Sequence, residues 1–176
     1  MLVGDAIPEA ELTVTRLTRG FDVASFDCGD ADLNEFLKND SFKHDANGVA
    51  KTFVCLYQNK PVGFFSICAD AIRLSQDEKI SSFGEIKPYA DYPAIKIARL
   101  GVDKNFQSKS IGSFMVSLII GKAIALSRDV GCRFVTVDAY AQQVGFYKKC
   151  RFIENLGDKT KRNVSMRLDL IAYMKQ

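Results

Sequence analysis

The chain has 176 residues, 47% of them apolar and 26% charged, with a formal net charge of +3 at pH 7. That length favours one compact domain, falls short of the about 250 residues of a usual (β/α)₈ barrel, and holds no run near the roughly eighteen apolar residues of a membrane span. His44 is the only histidine, which excludes a two-histidine zinc site and forces any Ser/His/Asp triad to use it, and so small a net charge is weak support for a dedicated nucleic-acid binder.

The first residues carry neither a basic flank nor an apolar run, so no secretory signal is expected and the chain reads as cytoplasmic. Residues 1–10 read as a tail ahead of a single domain over 11–176. Residues 12–16 alternate as a strand does. Asp30 then opens a helical stretch with Leu33, Phe36 and Leu37 on its apolar side, closed by Gly48. His44 falls in its polar later part and reads as surface. Thr52–Tyr57 and Val62–Cys68 are β-rich runs parted by Gln58-Asn59-Lys60-Pro61, the pattern of an antiparallel hairpin.

Residues 70–93 lack clean periodicity and read as an irregular excursion with a helical turn near Gln76–Ile80. Ala94–Val102 is a strand by composition. After polar residues 103–110 comes the strongest helix, with Ile111, Phe114, Met115, Leu118 and Ile119 at helical spacing and Gly131 as its stop. Phe134–Val137 is again a strand, so the pair and its helix make a βαβ unit. A short helix over Gln142–Cys150 and strands near Phe152–Asn155 and Asn163–Asp169 follow. The sum is an α/β fold with a mixed sheet. Five cysteines without C-x-x-C spacing, mostly inside apolar runs, read as reduced packing thiols.

The segment Asp103 to Ser113 joins the βαβ strand to its helix and is rich in small residues. A helix start leaves backbone N–H groups unpaired and carries the positive end of the helix dipole, so small residues there admit a phosphate, to which Lys109 can add charge. It matches neither the P-loop nor the dinucleotide-binding pattern. The plainer alternative is that Ser108 or Ser110 caps a surface helix.

A second segment, Ala139 to Phe152, follows the second strand of that unit. Together the two resemble the GNAT superfamily of acyl-CoA-dependent N-acetyltransferases, whose signature is [RQ]-x-x-G-x-[GA] between strand and helix with F-Y-x-x-x-G-F further on. Here these are Gln107-Ser108-Lys109-Ser110-Ile111-Gly112 and Phe146-Tyr147-Lys148-Lys149-Cys150-Arg151-Phe152. Ser110 and Arg151 stand where the signature has glycine, and Tyr140 stands where asparagine is common. Three further stretches, Phe26 to Leu37, Gly48 to Val54 and Ile97 to Val102, resemble the branch that includes toxins of toxin–antitoxin modules, whose members acetylate aminoacyl-tRNA.

The resemblance implies a GNAT-like fold, a central mixed and strongly twisted sheet flanked by helices. It also implies acetyl-CoA as cosubstrate, with no metal. Pantetheine would pair with the backbone of Leu100, Gly101 and Val102, and pyrophosphate would sit on Gln107, Ser108, Lys109, Ser110, Ile111, Gly112 and Ser113. Tyr147 matches the general acid toward the departing thiolate, with Phe146 packing inward and Tyr147 facing the strand cleft; two core aromatics are the alternative. Partners implied are an amine acceptor, tRNA, an antitoxin protein and a second copy of the chain. A non-catalytic acyl-CoA-binding or regulatory module is the other reading.

No carboxylate is an evident general base: Glu85, Asp91 and Asp138 read as surface charges. An α-amine, about 15% neutral at pH 7, asks less of a base than a lysine at about 0.04%. Arg99, a charge in an apolar strand, needs a partner or an open cleft; it can orient an acidic acceptor or a tRNA phosphate, or pair with a carboxylate of the excursion. Lys148, Lys149, Arg151, Lys159, Lys161 and Arg162 form a candidate basic rim or a solvated face.

Overall fold

The computed structural model describes residues 6–84, 89–156 and 163–174. In chain order it runs β1 (Leu12–Arg16), α1 (Ala31–Glu35), a π-helical turn (Phe36–Asp40), α2 (Ser41–Ala46), β2 (Lys51–Tyr57), β3 (Lys60–Ile72), α3 (Gln76–Phe83) and β4 (Tyr92–Val102). It continues with α4 (Ile111–Leu126), β5 (Phe134–Ala139), α5 (Val144–Lys149), β6 (Ile153–Glu154), β7 (Val164–Asp169) and α6 (Ile171–Met174). The strands form one mixed seven-stranded sheet in the order β1-β2-β3-β4-β5-β7-β6, flanked by helices. The pairs β1–β2, β2–β3, β5–β7 and β6–β7 are antiparallel.

The residues group into two compact units, 1–68 with 97–119, and 69–96 with 120–176. In the first, Leu17, Val23, Phe26, Phe36, Leu37, Val54 and Phe64 are buried together. Each such side chain contributes about 1.5–3 kcal/mol when taken from water. Its hairpin turns through Gln58 and Asn59 alone, both in the left-handed region (φ 49° and 62°), the geometry of a two-residue turn, so Lys60 and Pro61 already belong to β3. Asp30 caps α1 by accepting from Leu33 N–H at 3.1 Å. The π-helical turn then lets Phe36 and Leu37 both be buried, and the half-buried His44 ring lies edge-on to Phe36 at 5.3 Å, packed rather than simply solvated.

In the second unit, Ile72, Leu74, Tyr92, Ala94 and Phe134 form the core, and Phe83 stacks on Tyr92 at 4.4 Å. The excursion expected at 70–93 is thus mostly regular. Its first residues extend β3, its last begin β4, and α3 runs to Phe83 because a capping box starts it: Ser75 N–H donates to Glu78 Oε2 at 2.7 Å and Glu78 N–H to Ser75 Oγ at 3.3 Å. Glu78 and Arg167 make an ion pair 4% and 7% exposed, and Arg167 also donates to Asn155 Oδ1 at 2.7 Å. Arg133 grips Asp169 with two bonds, of 2.7 and 2.8 Å, and lies 4.6 Å above the Phe83 ring. All five cysteines are free thiols, Cys55 and Cys132 buried and the others half-buried.

Candidate functional site

The β4 strand ends at Val102, and Asp103 turns the chain. Its buried carboxylate accepts from Asn105 N–H at 2.9 Å and Asn105 Nδ2 at 3.1 Å, the side-chain-to-backbone bond that makes Asp a turn residue, and from Asp27 N–H at 3.0 Å. Just before it, Gly101 permits a close approach: a Cβ there would stand 2.8 Å from the ring of the fully buried Phe64. Leu100 and Val102 are half-buried.

The loop after Phe106 carries the feature that sequence alone did not reveal. Ser108 and Ser110 both adopt φ of 64°, in the left-handed region, although neither is glycine. Left-handed residues in such a loop turn successive N–H groups toward one side, a backbone nest that suits an anion. The loop leads directly into α4, whose opening residues Ile111, Gly112 and Ser113 have N–H groups with no intrahelical acceptor. Ile111 is buried, whereas Ser108, Ser110 and Ser113 are exposed. The Lys109 ammonium sits 5.4 Å over the Phe106 ring, and the Gln107 amide nitrogen donates to the carbonyls of Cys28 and Val102, both at 3.1 Å. Leu100 through Ser113 thus form one continuous stretch of the first unit, the end of β4, a loop with two left-handed serines and the start of α4. Asp27, Asn34 and Asp103, which support it, lie in stretches the sequence singles out, Phe26 to Leu37 and Asp103 to Ser113, without a bracing role being legible there; an acidic residue directly after an apolar strand was the available signal.

Arg99 lies on the same strand. It donates to the Ala98 carbonyl at 2.9 Å, its guanidinium stands 5.3 Å from the Phe36 ring centre, and Nε lies 3.8 Å from Asp32 Oδ2. Its carboxylate neighbour thus comes from α1 rather than from the excursion. The side chain remains 39% exposed while Nε itself is sealed without a hydrogen bond.

Tyr147 belongs to the second unit. It is 6% exposed while Phe146 is half-buried, so Tyr147 is the more deeply buried of the two adjacent aromatics. The way α5 ends explains this. Phe152 N–H donates to Tyr147 O at 3.0 Å and Arg151 N–H to Lys148 O at 3.0 Å, with Arg151 left-handed at φ 68°. This is the Schellman closure, which packs the residue after the left-handed one against the start of the last turn, and here the Phe152 and Tyr147 rings meet edge-on at 5.5 Å. The spacing in F-Y-x-x-x-G-F is therefore the spacing of that motif. Burial raises the Tyr147 phenol above its ordinary pKa, with Cys150 adding to the shift, so the hydroxyl holds its proton.

The carboxylates weighed as bases are accounted for in part. Asp91 pairs with Arg73 at 3.2 Å and Asp138 with Lys96 at 2.6 Å; Glu85 lies outside the described residues. Of the basic rim, Lys148 pairs with Glu154, Lys149 and Arg151 are exposed, and Lys159, Lys161 and Arg162 lie outside the described residues. No cluster of metal-ligating side chains is found, and no helix is long and apolar enough to cross a membrane, among the described residues.

The profile of the Acetyltransferase (GNAT) family matches residues 16–152. The chain is a GNAT acetyltransferase. Among proteins of known activity, a tRNA-acetylating toxin of Mycobacterium tuberculosis (strain ATCC 25618 / H37Rv) is 24% identical over 124 residues, which span 70% of this chain and 73% of that protein. Among solved structures, AtaT complexed with acetyl-methionyl-tRNAfMet superposes with a TM-score of 0.81 at 22% identity, covering 92% of this GNAT chain and 96% of that one. A Tyr-to-Phe variant of the AtaT toxin, bound to the C-terminus of the antitoxin AtaR and acetyl-CoA, gives 0.75 at 19% identity, covering 94% and 99%. These likenesses fix the GNAT fold, and family membership makes the chain an acyltransferase.

Proposed function

We propose that this GNAT protein takes its acetyl group from acetyl-CoA and passes it to the α-amine of an aminoacyl-tRNA. The observation that carries the donor half is the loop of left-handed Ser108 and Ser110 running into the free N–H groups of α4, a polyanion cradle built from backbone. It holds pyrophosphate on Gln107 through Ser113, while the backbone of Leu100, Gly101 and Val102 pairs with pantetheine. When bound, acetyl-CoA supplies a thioester carbonyl activated toward amines. The amine nitrogen forms the new C–N bond, the C–S bond breaks, and the departing sulfur takes the Tyr147 phenol proton while the amine's own proton leaves to solvent.

Burial keeps the Tyr147 phenol in its protonated form, the form a general acid must start from, and the motif position of Tyr147 supports the role. The acceptor half rests on two supports: the likeness to a tRNA-acetylating relative, and the engagement of Asp91 and Asp138, the two described carboxylates weighed as bases, in ion pairs, which favours an amine already partly neutral at pH 7. Arg99, still partly exposed, is the residue to steer a tRNA phosphate. An antitoxin and a second copy of the chain are the protein partners that accompany this reading, in the cytoplasm.

The test is an acceptor panel of charged tRNA, free amino acids, peptides and small amines with labelled acetyl-CoA. Acetylated aminoacyl-tRNA is expected, and transfer to small amines with none to charged tRNA removes the acceptor assignment. In the same assay Tyr147→Phe lowers turnover by about 10² to 10⁴ with acetyl-CoA affinity nearly unchanged in calorimetry. A variant as active as the parent takes Tyr147 out of the mechanism.

A further inference from the structure

The stretch Phe26 to Leu37 marks the toxin-like branch in the sequence, yet nothing in the proposed chemistry uses it. In the structure its first residues are stitched to the cofactor loop, all within the first unit. Lys104 N–H donates to Asp27 O at 2.8 Å, Lys104 Nζ to Asp27 Oδ2 at 2.6 Å, and Asp27 N–H to Asp103 Oδ2 at 3.0 Å. The segment is itself braced: Asp27 Oδ1 accepts from Gly29 N–H at 2.9 Å and Asn34 Nδ2 at 2.8 Å, and Asn34 Oδ1 accepts from Cys28 N–H at 3.0 Å. Lys104 and these donors hold the Asp27 carboxyl well below the usual carboxylate range, so the brace stays charged.

One side chain closes the assembly. Gln107 Nε2 donates one hydrogen to Cys28 O and one to Val102 O, joining the braced segment, the end of β4 and the residue that begins the left-handed loop. Both bonds use the amide as a donor.

We propose that Gln107 is a positioning residue: its two-carbonyl clamp, seated on the Asp27–Asn34 brace, presets the loop of Ser108 and Ser110 in the conformation that receives the acyl-CoA pyrophosphate. A loop held in a left-handed conformation that its residues disfavour needs outside bonds to stay there before the ligand arrives. This inference rests on acetyl-CoA being the donor. The chemistry is specific: a replacement that donates works, and one that only accepts does not, whatever its size.

Calorimetry with acetyl-CoA and amide hydrogen exchange of residues 107–113 in the free protein test it on Gln107→Glu, which is isosteric but donates nothing, and on Gln107→Arg, which restores two donors. Two bonds of roughly 0.5–1.5 kcal/mol each, weakened by solvent, predict a Kd about five- to twentyfold weaker for Gln107→Glu, together with faster exchange in the loop. Gln107→Arg recovers most of both. A Gln107→Glu protein that matches the parent in affinity and exchange, or a Gln107→Arg protein as impaired as Gln107→Glu in both, overturns the clamp. Failure of the unaltered protein to bind acetyl-CoA would overturn the donor assignment instead, leaving exchange in the free protein to decide for or against a preset loop.

Discussion

Two positions where the family signature has glycine are occupied here by Ser110 and Arg151, and the backbone has not changed to suit them. Both sit left-handed, at φ 64° and 68°. A side chain in that region costs about 1–2 kcal/mol, part of which a glycine would return through its more mobile unfolded state. Ser110→Gly and Arg151→Gly should therefore each raise unfolding free energy by about 0.5–1 kcal/mol, read as a higher urea midpoint at constant m-value. A lowered midpoint would mean that the hydroxyl or guanidinium makes compensating contacts. The signature glycines that Ser110 and Arg151 replace were the signal in the sequence, but whether the backbone stays left-handed without glycine is decided by the structure, by the Schellman closure at Arg151 and the 107–110 loop at Ser110.

Among the elements, α3 is held by one buried ion pair. Burial alone pushes the Glu78 carboxyl up, but the N–H groups of Ser75 and Leu156, the Ser75 hydroxyl and the Arg167 guanidinium prevail, so its pKa is lowered. The pair is therefore intact above the ordinary glutamate pKa, and its contribution is lost as pH falls through the lowered value. Removing one partner leaves a buried charge uncompensated. Glu78→Ala should cost about 3–5 kcal/mol in denaturant unfolding, and the double variant Glu78→Met with Arg167→Met should cost less than the single. A double variant as damaged as the sum of two singles would deny the coupling.

Elements such as α4 and the β2–β3 hairpin were legible because apolar spacing in one and turn residues in the other point the same way. The Tyr147 orientation was not, because helical spacing cannot say which of two adjacent aromatics a six-residue helix buries; the chain reversal at Arg151 decides that. The continuation of β3 to Ile72 was hidden by Asp70, whose carboxylate is engaged by the buried Thr136 hydroxyl at 2.6 Å and so sits in a strand where a lone charge would not.

For the molecule as a whole, alkaline pH is the exposed flank. Burial pushes the Cys55 thiol from 9.0 up to about 12 and raises Cys28, Cys132, Cys150 and Tyr147 as well. Each group is protonated in both states below its unfolded pKa, and above it the unfolded chain ionises first. Stability is thus fully present below about pH 9 and declines as pH rises toward 12, with each thiol adding up to about 1.4 kcal/mol per pH unit to the slope. Urea unfolding from pH 8 to 11 under reducing conditions should show that decline, and Cys55→Val should flatten it. An identical slope in the variant would exclude Cys55 as a contributor.

The two compact units are interleaved along the chain, the first needing residues 97–119 and the second residues 120–176 in addition to their earlier portions. During vectorial synthesis neither unit is whole until residue 119 has left the ribosome, and the cradle at 100–113 is made before the segment that bears Tyr147 exists. A nascent chain of this acetyltransferase therefore completes the stretch proposed to hold the donor before it has the residue proposed to protonate the leaving group, and premature termination between the two yields a chain without Tyr147.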